Sequence, residues 1–193
     1  MRVLAVENSG AEGTVAIVGD GGVEHMESFS SPRGRGSGLF PALARAVQSV
    51  AAIDLVLAGT GPGSYNGLRS SIAAAWGIAL ARKIPLAGIC SLLGYDAADY
   101  FVLGDARAGE WFCGQVAGGK LAGETELLPP EAALKRVGDA LPVFATSALP
   151  GIPRAIVACP RADILAARMP SAGPAAPFYL KPPHITRPKC PNP

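Results

Sequence analysis

Short β-branched runs alternate with glycine-centred breaks along the first part of the chain. Arg2–Glu7 (RVLAVE) and Thr14–Val18 (TVAIV) are separated by Asn8-Ser9-Gly10 and Glu12-Gly13, and Gly19-Asp20-Gly21-Gly22 leads into Val23–Ser28. This punctuation predicts a three-strand meander. After a loop rich in Ser, Gly and Arg (Ser30–Gly38), apolar residues fall at positions 39, 40, 43, 46, 47 and 50, which predicts a helix over Leu39–Ala52. Asp54–Ala58 reads as a buried strand feeding the turn Gly59–Gly67, Leu68–Ala81 as a helix, and Pro85–Ile89 as a further strand. The first half is therefore β-β-β-α-β-α-β.

The second half is more broken. Ser91–Ala98 is expected as a short helix, and Tyr100–Gly104 with Glu110–Val116 as a hairpin around Asp105-Ala106-Arg107. Gly118–Leu128 adds a strand, with Gly118-Gly119 suited to a hairpin turn. Pro130–Val137 is expected as a helix opened by proline, which a first helical turn tolerates. Pro142–Thr146 and Ala155–Ala158 read as brief strands and Asp163–Met169 as a last helix, before a proline-dense stretch from Pro170 that excludes a long helix. The expected organisation is a first lobe over 1–98, a shortened second lobe over 99–176, and an extended tail over 177–193 returning to the first lobe.

Composition narrows the function classes. The chain has 193 residues with 24 glycines and 18 prolines, but 49% hydrophobic and only 17% charged residues point to a folded core rather than disorder. A mean hydropathy of +0.30 raises the question of a membrane span. Ser70–Ala81 and Ile84–Tyr95, the long uncharged stretches, fall short of the roughly 18–20 apolar residues that a span requires. Glu7 interrupts the opening apolar run, so no signal-peptide core is expected, and cytoplasm is the expected location. Cys90, Cys113, Cys159 and Cys190 are scattered without a C-x-x-C, which predicts neither zinc site nor disulfide framework. A net charge of +2 without a Lys/Arg run excludes strong direct nucleic-acid binding as the expectation.

The richest segment chemically is Gly59-Thr60-Gly61-Pro62-Gly63-Ser64-Tyr65-Asn66-Gly67-Leu68-Arg69, between a strand and a helix. It lacks the lysine and glycine spacing of a P-loop. It also lacks the G-x-G-x-x-G spacing and downstream acid of a dinucleotide fingerprint. A tight turn with Ser64 capping the next helix accounts for the pattern on its own.

The same residues nevertheless carry a resemblance. GPGSYNGLRSSIAAAWGIALA is similar to the GPGSFTGLRIG-x-A-x-GLA signature of the TsaB/YeaZ family, the dimerisation subunit of the bacterial tRNA threonylcarbamoyladenosine machinery. RVLAVENSGAEGTVAIVGDG resembles that family's opening, Ser37-Gly38-Leu39-Phe40-Pro41 resembles H-S-x-x-L-x-P, Asp105-Ala106-Arg107-Ala108-Gly109-Glu110 resembles D-A-R-M-G-E, and Pro177-Phe178-Tyr179-Leu180-Lys181 resembles P-V-Y-L-R. The chain departs from the pattern at Glu7, usually Asp, at Gly36, usually His, at Asn66, usually Thr, and in its short second lobe.

The resemblance implies an α/β ASKHA fold of two lobes built on mixed sheets, with the second lobe reduced. It marks Gly61, Pro62, Gly63, Ser64, Gly67 and Arg69 as the motif turn, Asp105, Arg107 and Glu110 as the second-lobe motif, and Glu7, Asn8 and Ser9 as a degenerate phosphate-type hairpin. No metal site is expected, since His25 and His184 do not form the spaced pair of the family's catalytic relative. Asp105 and Arg107 lack a nucleophile or metal cluster nearby and read as a local turn or ion pair rather than an acid–base couple.

Physics and resemblance converge on the helices of the first lobe. Ile72–Ala81 is apolar all round, whereas a helix covering a sheet normally keeps a polar side. Leu39, Leu43, Val47, Arg69, Ile72, Ala73, Trp76 and Leu80 are accordingly the candidate partner interface, the alternative being that the second lobe or the tail covers these helices. The implied function is a non-catalytic subunit that organises a TsaD-type threonylcarbamoyl transferase together with a TsaE-type ATPase. The chain would form a homodimer in isolation and reach tRNA only indirectly. No cofactor is expected on this chain alone, and ATP with Mg only in the complex. An ATP-dependent small-molecule kinase of the same fold and a metal-dependent glycoprotease-like protein are the alternatives.

Overall fold

A computed structural model describes residues 1–30 and 38–181. Gly36, Ser37, His184, Cys190 and the tail beyond Lys181 lie outside the described residues.

Strands β1 (Val3–Glu7), β2 (Glu12–Gly19), β3 (Gly22–Ser30), β4 (Leu55–Gly59) and β5 (Leu86–Ile89) form a sheet in the order β3-β2-β1-β4-β5. The β1-β2-β3 meander is antiparallel, and β4 and β5 join in parallel after helices α1 (Leu39–Gln48) and α2 (Tyr65–Arg82). β1 is central and buried throughout. Because successive side chains alternate between faces, Leu4 and Val6 pack beneath α1 and α2, whereas Val3 and Ala5 enter the core on the opposite face.

α1 stops at Gln48 rather than at the expected Ala52, because the Ser49 hydroxyl bonds the Ala46 carbonyl at 2.8 Å and competes with helix continuation. α2 starts at Tyr65, ahead of the expected Leu68, and ends where Lys83 takes a left-handed conformation at φ 55°. The helix expected over Ser91–Ala98 is reduced to one 3₁₀ turn, Ser91–Leu93. Gly94 ends it in close packing against Pro160, whose Cβ would lie 2.6 Å from an added side chain.

The second sheet contains β6 (Tyr100–Asp105), β7 (Trp111–Ala117), β8 (Lys120–Leu121), β9 (Glu126–Leu128), β10 (Val143–Ala145) and β11 (Ile156–Val157). Its order is β11-β10-β6-β7-β8, with β9 also paired to β7. Gly118 and Gly119, at φ 56° and 72°, make the two-residue turn between β7 and β8. Helix α3 (Pro130–Val137) covers one face, placing Ala133 and Val137 against Phe101, Leu103 and Trp111.

The remaining faces of the two sheets share a core in which Val3, Ala5 and Leu57 meet Tyr100, Val102 and Phe112. Helix α4 (Ala162–Ala167) sits in this core through Leu165 and Ala166, and its first amide, on Ala162, donates to Thr14 Oγ1 at 2.8 Å. α4 was expected within the second lobe, but it packs on β1 and β2, because its apolar side completes the back of the first sheet. Two mixed sheets with helices on their faces give the two-lobed ASKHA-type arrangement. Among the described residues no helix is long and apolar enough to cross a membrane.

Candidate functional site

The turn after β4 is built by close approach. A Cβ on Gly63 would lie 2.4 Å from the Ser9 carbonyl oxygen and one on Gly67 2.1 Å from that of Asn8, so only glycine lets the β1–β2 hairpin lean into the turn. Ser64 fixes the junction twice: its hydroxyl accepts from the Gly67 amide at 3.2 Å, and its own amide donates to the Ser9 carbonyl at 2.8 Å. Asn8 Nδ2 adds a bond to the Gly67 carbonyl at 3.2 Å. Ser64 is thus the helix cap expected from sequence.

These contacts close the hairpin in which the resemblance places phosphate. Glu7, Asn8 and Ser9 are all buried. Glu7 Oε1 accepts from the Ser9 amide at 2.5 Å and Oε2 from the Ser91 hydroxyl at 2.6 Å, and Ser91 Oγ in turn accepts from the Gly61 amide at 2.9 Å. Burial pushes the Glu7 carboxyl above its ordinary range, while the bonds from Ser9 and Ser91 pull it back down. Both carboxylate oxygens are engaged inward and Gly63 presses on Ser9. The residues present therefore do not fit a metal-bound phosphate. Sequence reasoning missed Ser91, which reaches Glu7 only because β5 runs two strands from β1 in the same sheet.

α2 presents two opposed stripes. Leu68, Ile72, Ala75 and Ala79 are buried on the sheet, while Arg69, Ala73, Trp76 and Leu80 follow the same helical spacing on the outside. Trp76 is 55% and Leu80 74% exposed. Of the eight candidate interface residues, Leu39, Leu43 and Ile72 are corrected to core positions, because each is nearly or fully buried between its helix and the first sheet. Val47 is half-buried against the same core. Beside Trp76 opens a groove of about 580 Å³ lined by Leu80, Lys83, Ile84, Pro174 and Ala175.

The family model described as TsaD: tRNA N6-adenosine threonylcarbamoyltransferase matches residues 39–141. YeaZ from Pseudomonas aeruginosa superposes with a TM-score of 0.72 at 27% identity, covering 93% of this chain and 99% of that one. The chain belongs to the TsaD family, on its TsaB/YeaZ branch. Among curated proteins it is 33% identical over 98 residues to the tRNA threonylcarbamoyladenosine biosynthesis protein TsaB of Escherichia coli, covering 48% of this chain and 42% of that protein. It is also 42% identical over 72 residues to an uncharacterized protein of Mycobacterium tuberculosis, covering 36% of this chain and 34% of that protein. The chain thus spans between a third and a half of the length of these curated relatives.

The second motif of this TsaB/YeaZ chain, Asp105 to Glu110, forms the β6–β7 turn. Asp105 Oδ1 accepts from the Arg107 amide at 2.8 Å, a local turn contact, and Arg107, Ala108 and Gly109 all have positive φ. Glu110 closes the turn, its amide donating to the Arg107 carbonyl at 3.3 Å, and its carboxylate pairs with Lys181 at 2.7 Å. The Cys90 and Cys113 thiols are pushed up to about 11 by burial, which leaves them protonated and unreactive at neutral pH. Among the described residues no three His, Cys, Asp or Glu side chains gather to hold a metal.

Proposed function

We propose that this chain is a non-catalytic, cytoplasmic subunit that binds and organises a TsaD-type threonylcarbamoyl transferase. With a TsaE-type ATPase, that complex modifies the adenosine next to the anticodon in tRNA. The observation that carries the reading is the outer stripe of α2. Trp76 and Leu80 stand exposed beside Ala73 and Gly77, an aromatic anchor on a helix whose small residues permit close approach. Family membership supports the same partner.

The closed Glu7 hairpin supports a scaffold over a kinase. A kinase of this fold would offer its first-strand acid to metal and phosphate, whereas Glu7 is spent on Ser9 and Ser91. Nucleotide, where the complex uses it, belongs to a site that the partners complete. In isolation the same stripe pairs two copies of the chain.

The test is a reconstituted tRNA modification assay. Leaving out this chain is expected to abolish modified adenosine, and adding it to purified transferase and ATPase is expected to restore it. Full modification without it overturns the proposal.

A further inference from the structure

The TsaB/YeaZ motifs GPGSYNG and DARAGE lie on different lobes, and one segment touches both. Residues 172–181 run from β5 across the Gly59–Gly67 turn to the β6–β7 turn. At the start, the Gly173 amide donates to the Gly88 carbonyl at 2.7 Å and the Gly88 amide donates back at 2.8 Å. Midway, the Phe178 amide donates to the Thr60 carbonyl at 2.8 Å. Tyr179 then packs on Tyr65 at a ring separation of 4.7 Å, and the Arg69 guanidinium covers that Tyr65 ring at 4.6 Å. At the far end, Lys181 Nζ lies 2.7 Å from Glu110 Oε2 and donates to the Arg107 carbonyl at 3.0 Å.

We propose that residues 172–181 are an interlobe strap and that the two motifs are its anchorages, one on each lobe. The chemistry of each anchorage matches the task. Gly61 admits the strap closely, since its added Cβ would lie 3.2 Å from the Phe178 carbonyl oxygen. The Arg107 carbonyl, in the left-handed run from Arg107 to Gly109, accepts from the Glu110 amide at 3.3 Å and from the Lys181 ammonium as well, while the Glu110 carboxylate supplies the countercharge. The GPGSYNG turn supplies the aromatic platform at Tyr65, which Arg69 holds in place. Gly61, Tyr65 and Arg69 of the first motif and Arg107 and Glu110 of the second thus meet at the strap. Pro174 and Ala175 of the strap also form a wall of the groove beside Trp76, so the strap connects that groove to the second-lobe turn.

The test uses the isolated full chain and does not depend on any partner, so its failure is distinct from failure of the proposed function. Amide hydrogen exchange is read at Gly173 and Phe178, with Val6 in the core strand as the reference. Tyr179→Ala is expected to speed exchange at Phe178 about twofold to tenfold, the range spanned by an aromatic pair, while Tyr179→Phe leaves it unchanged. Lys181→Glu and Glu110→Lys are each expected to speed it about twofold to fivefold, and the double swap to exchange more slowly than either single variant without reaching the native rate, because a carboxylate at position 181 cannot donate to the Arg107 carbonyl. Unchanged exchange in Tyr179→Ala, or a double swap that exchanges as fast as either single variant, overturns the strap. If Val6 exchanges faster in Tyr179→Ala, the charge-swap series alone decides.

Discussion

Glu7 and Ser91 are joined by a 2.6 Å hydrogen bond between side chains that are almost completely buried, one on the central strand and the other on the turn that leaves the first sheet for the second. The hydroxyl of Ser91 also receives the Gly61 amide at 2.9 Å, so one side chain ties the hairpin, the motif turn and the interlobe connection together. Ser91→Ala removes an acceptor from Gly61 and a donor from Glu7 at once. The expected cost is about 1–3 kcal/mol in urea unfolding, the range for leaving a buried polar group unsatisfied. A cost near zero would show that the network contributes nothing.

The same pair sets a pH dependence. Burial raises the Glu7 carboxyl above its ordinary value of 4.5, so the folded state holds this proton more tightly than the unfolded chain. The stability from this group is fully present below about pH 4.5 and is lost as pH rises through the folded value. Glu7→Gln is expected to remove that loss, so the variant gains stability on the wild type as pH rises from 4.5 towards neutrality. Urea midpoints across that interval check it; parallel curves for the two proteins would contradict the sign.

Gly67 and Gly77 lie in the same helix and are expected to respond oppositely to alanine. At Gly67 the new Cβ would meet the Asn8 carbonyl oxygen at 2.1 Å, so the hairpin must move and stability falls by about 1–3 kcal/mol. At Gly77 nothing lies within 4 Å, and alanine is expected to stabilise the chain by about 0.5–1 kcal/mol through helix propensity. Thermal unfolding of the two variants distinguishes them by direction alone.

The meander, both helices of the first lobe and the capped turn follow from local periodicity and punctuation, and all are present. The rotation of α2 does not follow, because a helix apolar all round has no polar side to say which residues face the sheet. Arg69, Ala73, Trp76 and Leu80 fell on the free side and Ile72 did not, since β4 and its neighbours selected the stripe that fills their surface. Leu39 and Leu43 are core because α1 lays its apolar side, Leu39, Ala42, Leu43 and Ala46, on β2 and β3. Ser91, Tyr65 with Tyr179, and Lys181 with Glu110 are long-range pairs, invisible to windows of a few residues. The family motif flagged positions 110 and 181 separately, but only the fold brings them together.

The most direct measurement is size-exclusion chromatography of the TsaD-type subunit mixed with wild-type chain, Trp76→Glu or Ile72→Glu. Trp76 is 55% exposed, so Trp76→Glu should change stability by no more than about 0.5 kcal/mol and yet abolish the complex. Ile72→Glu places a charge in the core under α2 and is expected to unfold the chain, marking the difference between the two stripes. Co-elution of the wild type, with loss of co-elution in folded Trp76→Glu, is the predicted result. An intact complex with folded Trp76→Glu would contradict the assignment of the α2 outer stripe as the partner-binding face.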